Sequence, residues 1–249
     1  MSTMNVFSRE PLSVGLIVRE SLRIFFAQFV RLFAISAIAF VPLSLLVPVG
    51  MFGVPRRASA VPSPTYILVL VAGVVLYVVL AMVGSAANTY GVFQAARGLP
   101  IRIDECLRMG FRRFGRVLLV AVTVGILAIL GFMACIIPGL LIGAANAVAI
   151  PAVVVEGLTV DEAMRRSHRL TKGSRGVIIG ATLVVVALQF VGSLVSAAAI
   201  LVPALYTILS ITVSIAGSAL LNTTNSVIYF GLRSSKESIG VDDIAAVFE

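Results

Sequence analysis

The sequence contains few charged side chains. Asp, Glu, Lys and Arg make up 12% of its 249 residues, whereas hydrophobic residues make up 59%. Soluble domains are about 25% charged and about 45–50% apolar, so this composition excludes an ordinary soluble domain, a disordered chain and a coiled coil. It is typical of a polytopic membrane protein, and we predict an all-α integral membrane protein with a single transmembrane domain over residues 1–249.

Histidine and cysteine are also scarce. One histidine and two distant cysteines cannot supply a tetrahedral zinc site. We expect no disulfide, because Cys106 lies in a charged segment and Cys135 in an apolar one. The histidine, His168, lies among arginines, and the sequence shows neither a Ser-His-Asp set nor a phosphate-binding glycine loop. The sequence therefore predicts a protein that is not an enzyme and that binds no cofactor.

Six apolar runs are long enough to cross a bilayer, for which about 20 residues are needed. They are residues 32–52, 65–87, 117–137, 139–155, 177–201 and 205–230. Because backbone polar groups have no water partner in lipid, each run is predicted to be a helix. None contains a charged residue, so the usual groups of a proton relay are missing. Pro138-Gly139 and Pro203 are predicted to separate neighbouring spans into tight hairpins, and Pro42 and Pro151 to kink spans one and four.

The basic residues are distributed unevenly between the connections. Seventeen of the 19 Lys and Arg residues lie on one predicted side of the membrane, and only Arg56 and Arg57 lie on the other. The positive-inside rule then places both termini in the cytoplasm, and we expect the protein in a bacterial cytoplasmic (inner) membrane. Because the basic residues follow membrane topology and lack interleaved aromatic residues, no nucleic-acid partner is predicted.

Three segments of the sequence resemble one another and indicate an internal repeat. They are residues 13–23, 102–112 and 159–169, and each carries two arginines four residues apart. Each is interpreted as a short cytoplasmic amphipathic helix that precedes a two-span hairpin. The repeat units are about 13–97, 98–156 and 157–233, followed by a cytoplasmic tail, 234–249. Ser13 is predicted to cap the first short helix, and Thr159 and Glu162 to form a capping box on the third.

The paired arginines of these segments are the candidate binding residues for anionic lipid headgroups or for a membrane-protein partner. They are Arg19, Arg23, Arg108, Arg112, Arg165 and Arg169. The other interpretation, which the sequence favours slightly, is a topology signal combined with snorkelling side chains at the helix edges. Glu156, at the end of span four, is predicted to pair with a nearby arginine such as Arg165 or Arg169, or to cap the following turn.

Five amides lie inside or near the end of apolar runs, and four of them are the candidate intramembrane polar residues. The four are Asn88, Asn146, Gln189 and Asn222, and the fifth is Asn225. Amides hydrogen-bond between packed membrane helices, and they also line paths for polar solutes. Two functions therefore stay open. One is a non-catalytic membrane protein that binds lipids or a protein partner through a basic cytoplasmic face; the alternative is a transporter or channel for a small or lipid-like solute.

One stretch resembles a known family. Residues 151–173, PAVVVEGLTVDEAMRRSHRLTKG, are similar to the signature of the membrane domain attached to some glycerophosphoryl diester phosphodiesterases and of related six-helix bacterial membrane proteins of unknown function. The preceding IIPGLLIGAANAVAIP resembles the same family. The resemblance implies a six-helix membrane module. It does not imply the phosphodiesterase activity, because that belongs to a separate soluble domain with a His-Arg-Gly start, and here His168-Arg169 is followed by Leu170.

Overall fold

The computed structural model describes residues 12–38 and 64–237, and this part of the chain is all-helical. Its helices are α1 Val14–Ala27, α2 Phe29–Ile38, α3 Pro64–Ala96, α4 Ile103–Ala134, α5 Ile136–Asn146, α6 Ala149–Glu156, α7 Val160–Thr171, α8 Arg175–Ala197 and α9 Pro203–Glu237. The predicted all-α class is therefore confirmed.

Within residues 12–38 and 64–237, five helical stretches are long and apolar enough to cross a membrane: α3, α4, α5 with α6, α8 and α9. Helices α1 and α2 meet at a bend of 85° and supply a sixth span if they are counted together. Most of the first predicted span, 32–52, and the predicted kink at Pro42 lie outside the described residues. The prediction of several apolar helices able to span a membrane is confirmed, and the described residues contain five or six of them.

The second predicted interfacial helix does not exist as a separate element. Residues 103–112 are the first turns of α4, which continues without interruption to Ala134. No proline lies in this stretch, and nothing in it supplies a strong break. The two glycines, Gly110 and Gly115, weaken a helix without ending it. Helices α1 and α7, by contrast, are separate short helices.

The break between spans three and four lies before the predicted Pro138-Gly139 position. Cys135 is extended, with φ −176° and ψ 161°, and α5 begins at Ile136. Pro138 is thus the third residue of α5, where its missing N–H costs nothing, because the first N–H groups of a helix have no intrahelical acceptor. Pro203 begins α9, as the predicted break requires.

Span four is divided rather than bent. Helix α5 ends at Asn146 and α6 begins at Ala149. Pro151 lies four residues after Ala147. Because proline has no N–H, it cannot donate the helical hydrogen bond to the carbonyl oxygen of Ala147, which explains an interruption at this point. Pro151 therefore lies close to a break in the helix, while α5 and α6 together still form one candidate span, Ile136–Glu156.

Close packing joins α3 to α4 and α3 to α9. A β-carbon at Gly110 would lie 2.6 Å from the carbonyl oxygen of Val83, so the two helix backbones approach there as only glycine permits. Phe93 of α3 stacks on Phe230 of α9, with ring centroids 5.9 Å apart. Most of the large apolar side chains on the outer surfaces of α3, α4 and α8 are exposed, as expected of helices that face lipid.

Candidate functional site

Helix α7 positions the third pair of candidate arginines. Its first turn is fixed by Glu162, whose carboxylate accepts hydrogen bonds from the backbone N–H of Thr159 at 2.9 Å and from its hydroxyl at 2.7 Å. These bonds hold the pKa of Glu162 below its usual value. The predicted capping box is confirmed. At α1, the Ser13 hydroxyl accepts from the N–H of Leu16 at 3.3 Å, so that predicted cap is also confirmed.

One face of α7 packs against the interrupted fourth span. Ala163, Ser167 and Leu170 are buried, and the Ser167 hydroxyl donates to the carbonyl oxygen of Ala145 at 2.7 Å. Thr171 reaches the same oxygen at 3.4 Å. Ala145 lies in the last turn of α5, where carbonyls lack an intrahelical partner. Hydroxyls of α7 thus donate hydrogen bonds to a backbone carbonyl, that of Ala145, which the break in span four leaves without a helical partner.

All six candidate arginines are exposed. Three of them pair with carboxylates of their own helix. Arg19 and Arg23 each lie 3.5 Å from the side chain of Glu20, which is buried, and Arg165 pairs with Asp161. Arg165 and Asp161 are both mostly exposed, so their pairing is worth less than about 1 kcal/mol.

The other three candidates, Arg108, Arg112 and Arg169, have no carboxylate partner among the described residues. We call these three the unpaired arginines. They belong to two of the predicted repeat segments, Arg108 and Arg112 to α4 and Arg169 to α7. Their positive charges are available to an external anion.

Glu156 pairs with a nearby arginine, as predicted, but the partner is Arg166 rather than Arg165 or Arg169. The Arg166 Nε lies 3.0 Å and 3.1 Å from the two Glu156 oxygens, and its Nη atoms bind the carboxylate of Glu237 at the end of α9. These carboxylates hold the pKa of Arg166 above its usual value, the Glu237 bond contributing most. The physical reason is orientation, because Arg165 and Arg169 lie on the exposed face of α7.

Two further α9 side chains complete this cluster. Arg233 donates to Glu237 at 3.1 Å and to the Tyr229 hydroxyl at 3.2 Å, and Tyr229 in turn donates to Glu156. We call the five residues the ionic cluster: Glu156, Arg166, Tyr229, Arg233 and Glu237. Its two positive and two negative charges balance, so it joins α6, α7 and α9 without leaving a net charge to attract a ligand.

Two of the four predicted intramembrane amides join helices. Asn88 of α3 donates to the Ser36 hydroxyl of α2 at 2.7 Å, and Asn222 of α9 accepts from the Ser85 hydroxyl of α3 at 2.8 Å. Hydrogen bonds of this kind between membrane helices contribute about 0.6–2 kcal/mol. These two amides act as packing contacts.

The other two amides lie apart from them. Asn146 donates to the carbonyl of Ile142 in its own helix at 2.9 Å, and Gln189 of α8 packs against Gly217 of α9. An apolar cavity of about 160 Å³ includes Gln189 in its lining, and a second of about 230 Å³ lies between α5 and α8. Neither is lined by Asn146 or Asn222, so these cavities do not join the predicted polar residues into one path.

The comparisons with known proteins identify no relative. No family model matches this chain. No curated protein matches it, and no solved structure matches it. The described residues therefore define an all-helical fold with five to six helices long and apolar enough to span a membrane. The resemblance to the phosphodiesterase membrane domain stays a prediction.

Proposed function

We propose that this chain is a non-catalytic integral membrane protein whose basic face binds the headgroups of anionic lipids. The face consists of the six candidate arginines: Arg19, Arg23, Arg108, Arg112, Arg165 and Arg169. The observation that carries the proposal is that all six are exposed, and that the unpaired arginines among them have no carboxylate partner in the described part of the chain.

The ionic cluster supports a distinction between basic residues that stabilise the fold and basic residues that are exposed for binding. Arg166 and Arg233 are committed to Glu156 and Glu237, and Lys236 donates to the carbonyl of Lys172 at the end of α7. These residues stabilise the fold and are engaged within it, whereas the unpaired arginines are exposed and have no carboxylate partner among the described residues. A basic side chain near an anionic membrane surface contributes roughly 1 kcal/mol. Three of them therefore favour an anionic over a neutral lipid surface on the order of a hundredfold.

The proposal includes a topology. Both termini and the basic face lie in the cytoplasm, in a bacterial inner membrane, and the spans form three hairpins that repeat along the chain. The charge distribution supports the orientation, because only Arg56 and Arg57 lie on the opposite side. The pairing of α4 with α5 and of α8 with α9 in the fold is compatible with two of the hairpins.

The test compares two triple variants of equal charge change in the full-length protein. One replaces the unpaired arginines with glutamine (Arg108→Gln, Arg112→Gln, Arg169→Gln), and the other replaces the paired ones (Arg19→Gln, Arg23→Gln, Arg165→Gln). Each purified protein is offered phosphatidylglycerol in competition with phosphatidylcholine in a mild detergent, and native mass spectrometry measures the lipids that it retains.

We expect wild-type protein to retain phosphatidylglycerol preferentially and the unpaired-arginine variant to lose most of that preference. The paired-arginine variant should lose less, because its arginines are already partly neutralised. Equal retention of both lipids by wild-type protein would refute the proposal. Co-purification of one stoichiometric membrane protein through the same arginines, without lipid preference, would assign the face to a protein partner instead.

A further inference from the structure

Two arginines outside the predicted set converge on Gly157, the residue that follows the end of α6. The backbone there has φ +71°, and a β-carbon at this position would lie 2.8 Å from both Nη atoms of Arg113. Arg116, one turn further along α4, donates from Nη1 to the carbonyl oxygen of Gly157 at 2.6 Å. Only a glycine allows the Arg113 guanidinium to lie this close to the backbone.

Arg113 has no counter-ion in the part of the chain that the structure describes. Its Nε is buried and makes no hydrogen bond there, and its charged neighbours Arg112 and Arg116 repel it. Glu162 interacts electrostatically with Arg116, but its carboxylate is engaged by Thr159. A partly buried guanidinium among like charges is costly unless an anion neutralises it.

The depth of the two arginines fits a lipid phosphate. They are the last charged residues of α4, and the following 18 residues, 117–134, contain none. At about 1.5 Å per residue this stretch covers about 27 Å, close to the roughly 30 Å hydrocarbon core of a bilayer. Gly157 follows the end of the neighbouring span, Ile136–Glu156. The site therefore lies where the hydrocarbon ends and the phosphates begin.

We propose that Arg113 and Arg116, which both lie against Gly157, form a specific binding site for the phosphate of one anionic phospholipid. Guanidinium groups bind phosphate oxygens through directed, often bidentate, hydrogen bonds. This site deepens the proposed function and rests on it. It differs from the basic face because it depends on the placement of two side chains as well as on their charge.

Gly157→Ala provides the sharpest test, because it displaces the Arg113 guanidinium without removing a charge. Gly173→Ala is its matched control: Gly173 also has a positive φ, +85°, but a β-carbon there would meet nothing within 4 Å. The second pair is Arg113→Gln with Arg102→Gln, an exposed arginine just before the same helix that lies outside the basic face and already pairs with Glu105. All four variants are purified in mild detergent and titrated with phosphatidylglycerol against phosphatidylcholine, at low and at high salt, with native mass spectrometry as the readout.

We expect Gly157→Ala and Arg113→Gln to weaken the tightest-bound phosphatidylglycerol on the order of tenfold, at high salt as well as low. The two controls should leave that lipid in place at high salt, where unspecific attraction is screened. If Arg113→Gln does not fold, Gly157→Ala still decides.

Three results would overturn this site. Both test variants could match their controls while wild-type protein still prefers phosphatidylglycerol, in which case the general basic face survives and the specific site does not. Inorganic phosphate or glycerol phosphate could displace the lipid at equal concentration, which would make the occupant a soluble phosphate. An absent preference for phosphatidylglycerol in wild-type protein would remove the proposed function together with the site.

Discussion

Replacing Arg166 with methionine tests the ionic cluster directly. The change removes the cation that binds both Glu156 and Glu237 and keeps much of the aliphatic volume. Removing one partner of a buried ion pair costs about 3–5 kcal/mol. Here the cost falls lower, at about 2–3 kcal/mol, because the side chains of Glu156 and Glu237 are 16% and 21% exposed and Arg233 stays close to both, at 3.6 Å and 3.1 Å.

Arg165→Met is the matched control, since Arg165 precedes Arg166 on the same helix and carries the same charge. Its side chain is 65% exposed, so its loss should cost no more than about 0.5 kcal/mol. For a chain of this size 1 kcal/mol corresponds to roughly 2–4 °C in Tm. We therefore expect Arg166→Met to lower Tm by about 5–10 °C and Arg165→Met by about 2 °C or less. The chain contains no tryptophan, so the loss of helix in detergent is followed by far-UV circular dichroism.

Equal Tm shifts for the two variants would refute the assignment of Arg166 to the ionic cluster. A double-mutant cycle sharpens the test. Glu237→Gln alone should also destabilise, but the double variant Arg166→Met with Glu237→Gln should be less destabilised than the sum of the two single changes by about 1 kcal/mol or more. Strict additivity would mean that the two side chains do not interact.

Two further predictions concern helix packing and topology. Gly110→Ala places a β-carbon 2.6 Å from the Val83 carbonyl oxygen and should lower the free energy of unfolding by about 1–3 kcal/mol. In Gly115→Ala the added β-carbon meets nothing within 4 Å, so this variant should be more stable than wild type by up to about 1 kcal/mol. Thermal unfolding compares the two variants, and equal stability would contradict the close approach of α3 and α4. In a chain without its native cysteines, a membrane-impermeant maleimide added to intact cells should label Arg57→Cys and spare Arg112→Cys, and the reverse pattern would invert the proposed topology.

The spanning helices could be predicted from the sequence because the bilayer imposes one simple condition. An apolar run of sufficient length has no alternative to a helix in lipid. The positions of α3, α8 and α9 could therefore be predicted approximately from the positions of the apolar runs alone. The exact ends were not. Helix α4 begins well before its apolar part, since nothing interrupts residues 103–116, and a charged helix can continue beyond the membrane without cost.

The proline positions show a second limit of sequence reasoning. Pro138 was expected to mark a break, yet the break falls at Cys135 and Pro138 lies in the first turn of α5. Proline disfavours helix in the residue before it but is tolerated at the start of a helix. The pattern predicts that a break lies near Pro138. Which of the neighbouring residues becomes extended depends on packing, such as the close contact between Phe132 and Gly139.

The choice of Arg166 over its neighbours could have been made from the sequence with one further step. At about 100° per residue, the small and apolar residues Ala163, Ser167 and Leu170 define one face of α7. Arg166 lies about 70° from the centre of that face, Arg169 about 130° and Arg165 about 170°.

Helical geometry therefore favours Arg166 as the arginine that turns inward and the other two as those that stay exposed. The identity of its partner was not accessible in the same way. Glu237 is 71 residues away along the chain, and only the packing of α9 beside α7 brings its carboxylate to Arg166. The exposed arginines can be predicted from local periodicity, whereas the ionic cluster that engages Arg166 depends on tertiary structure.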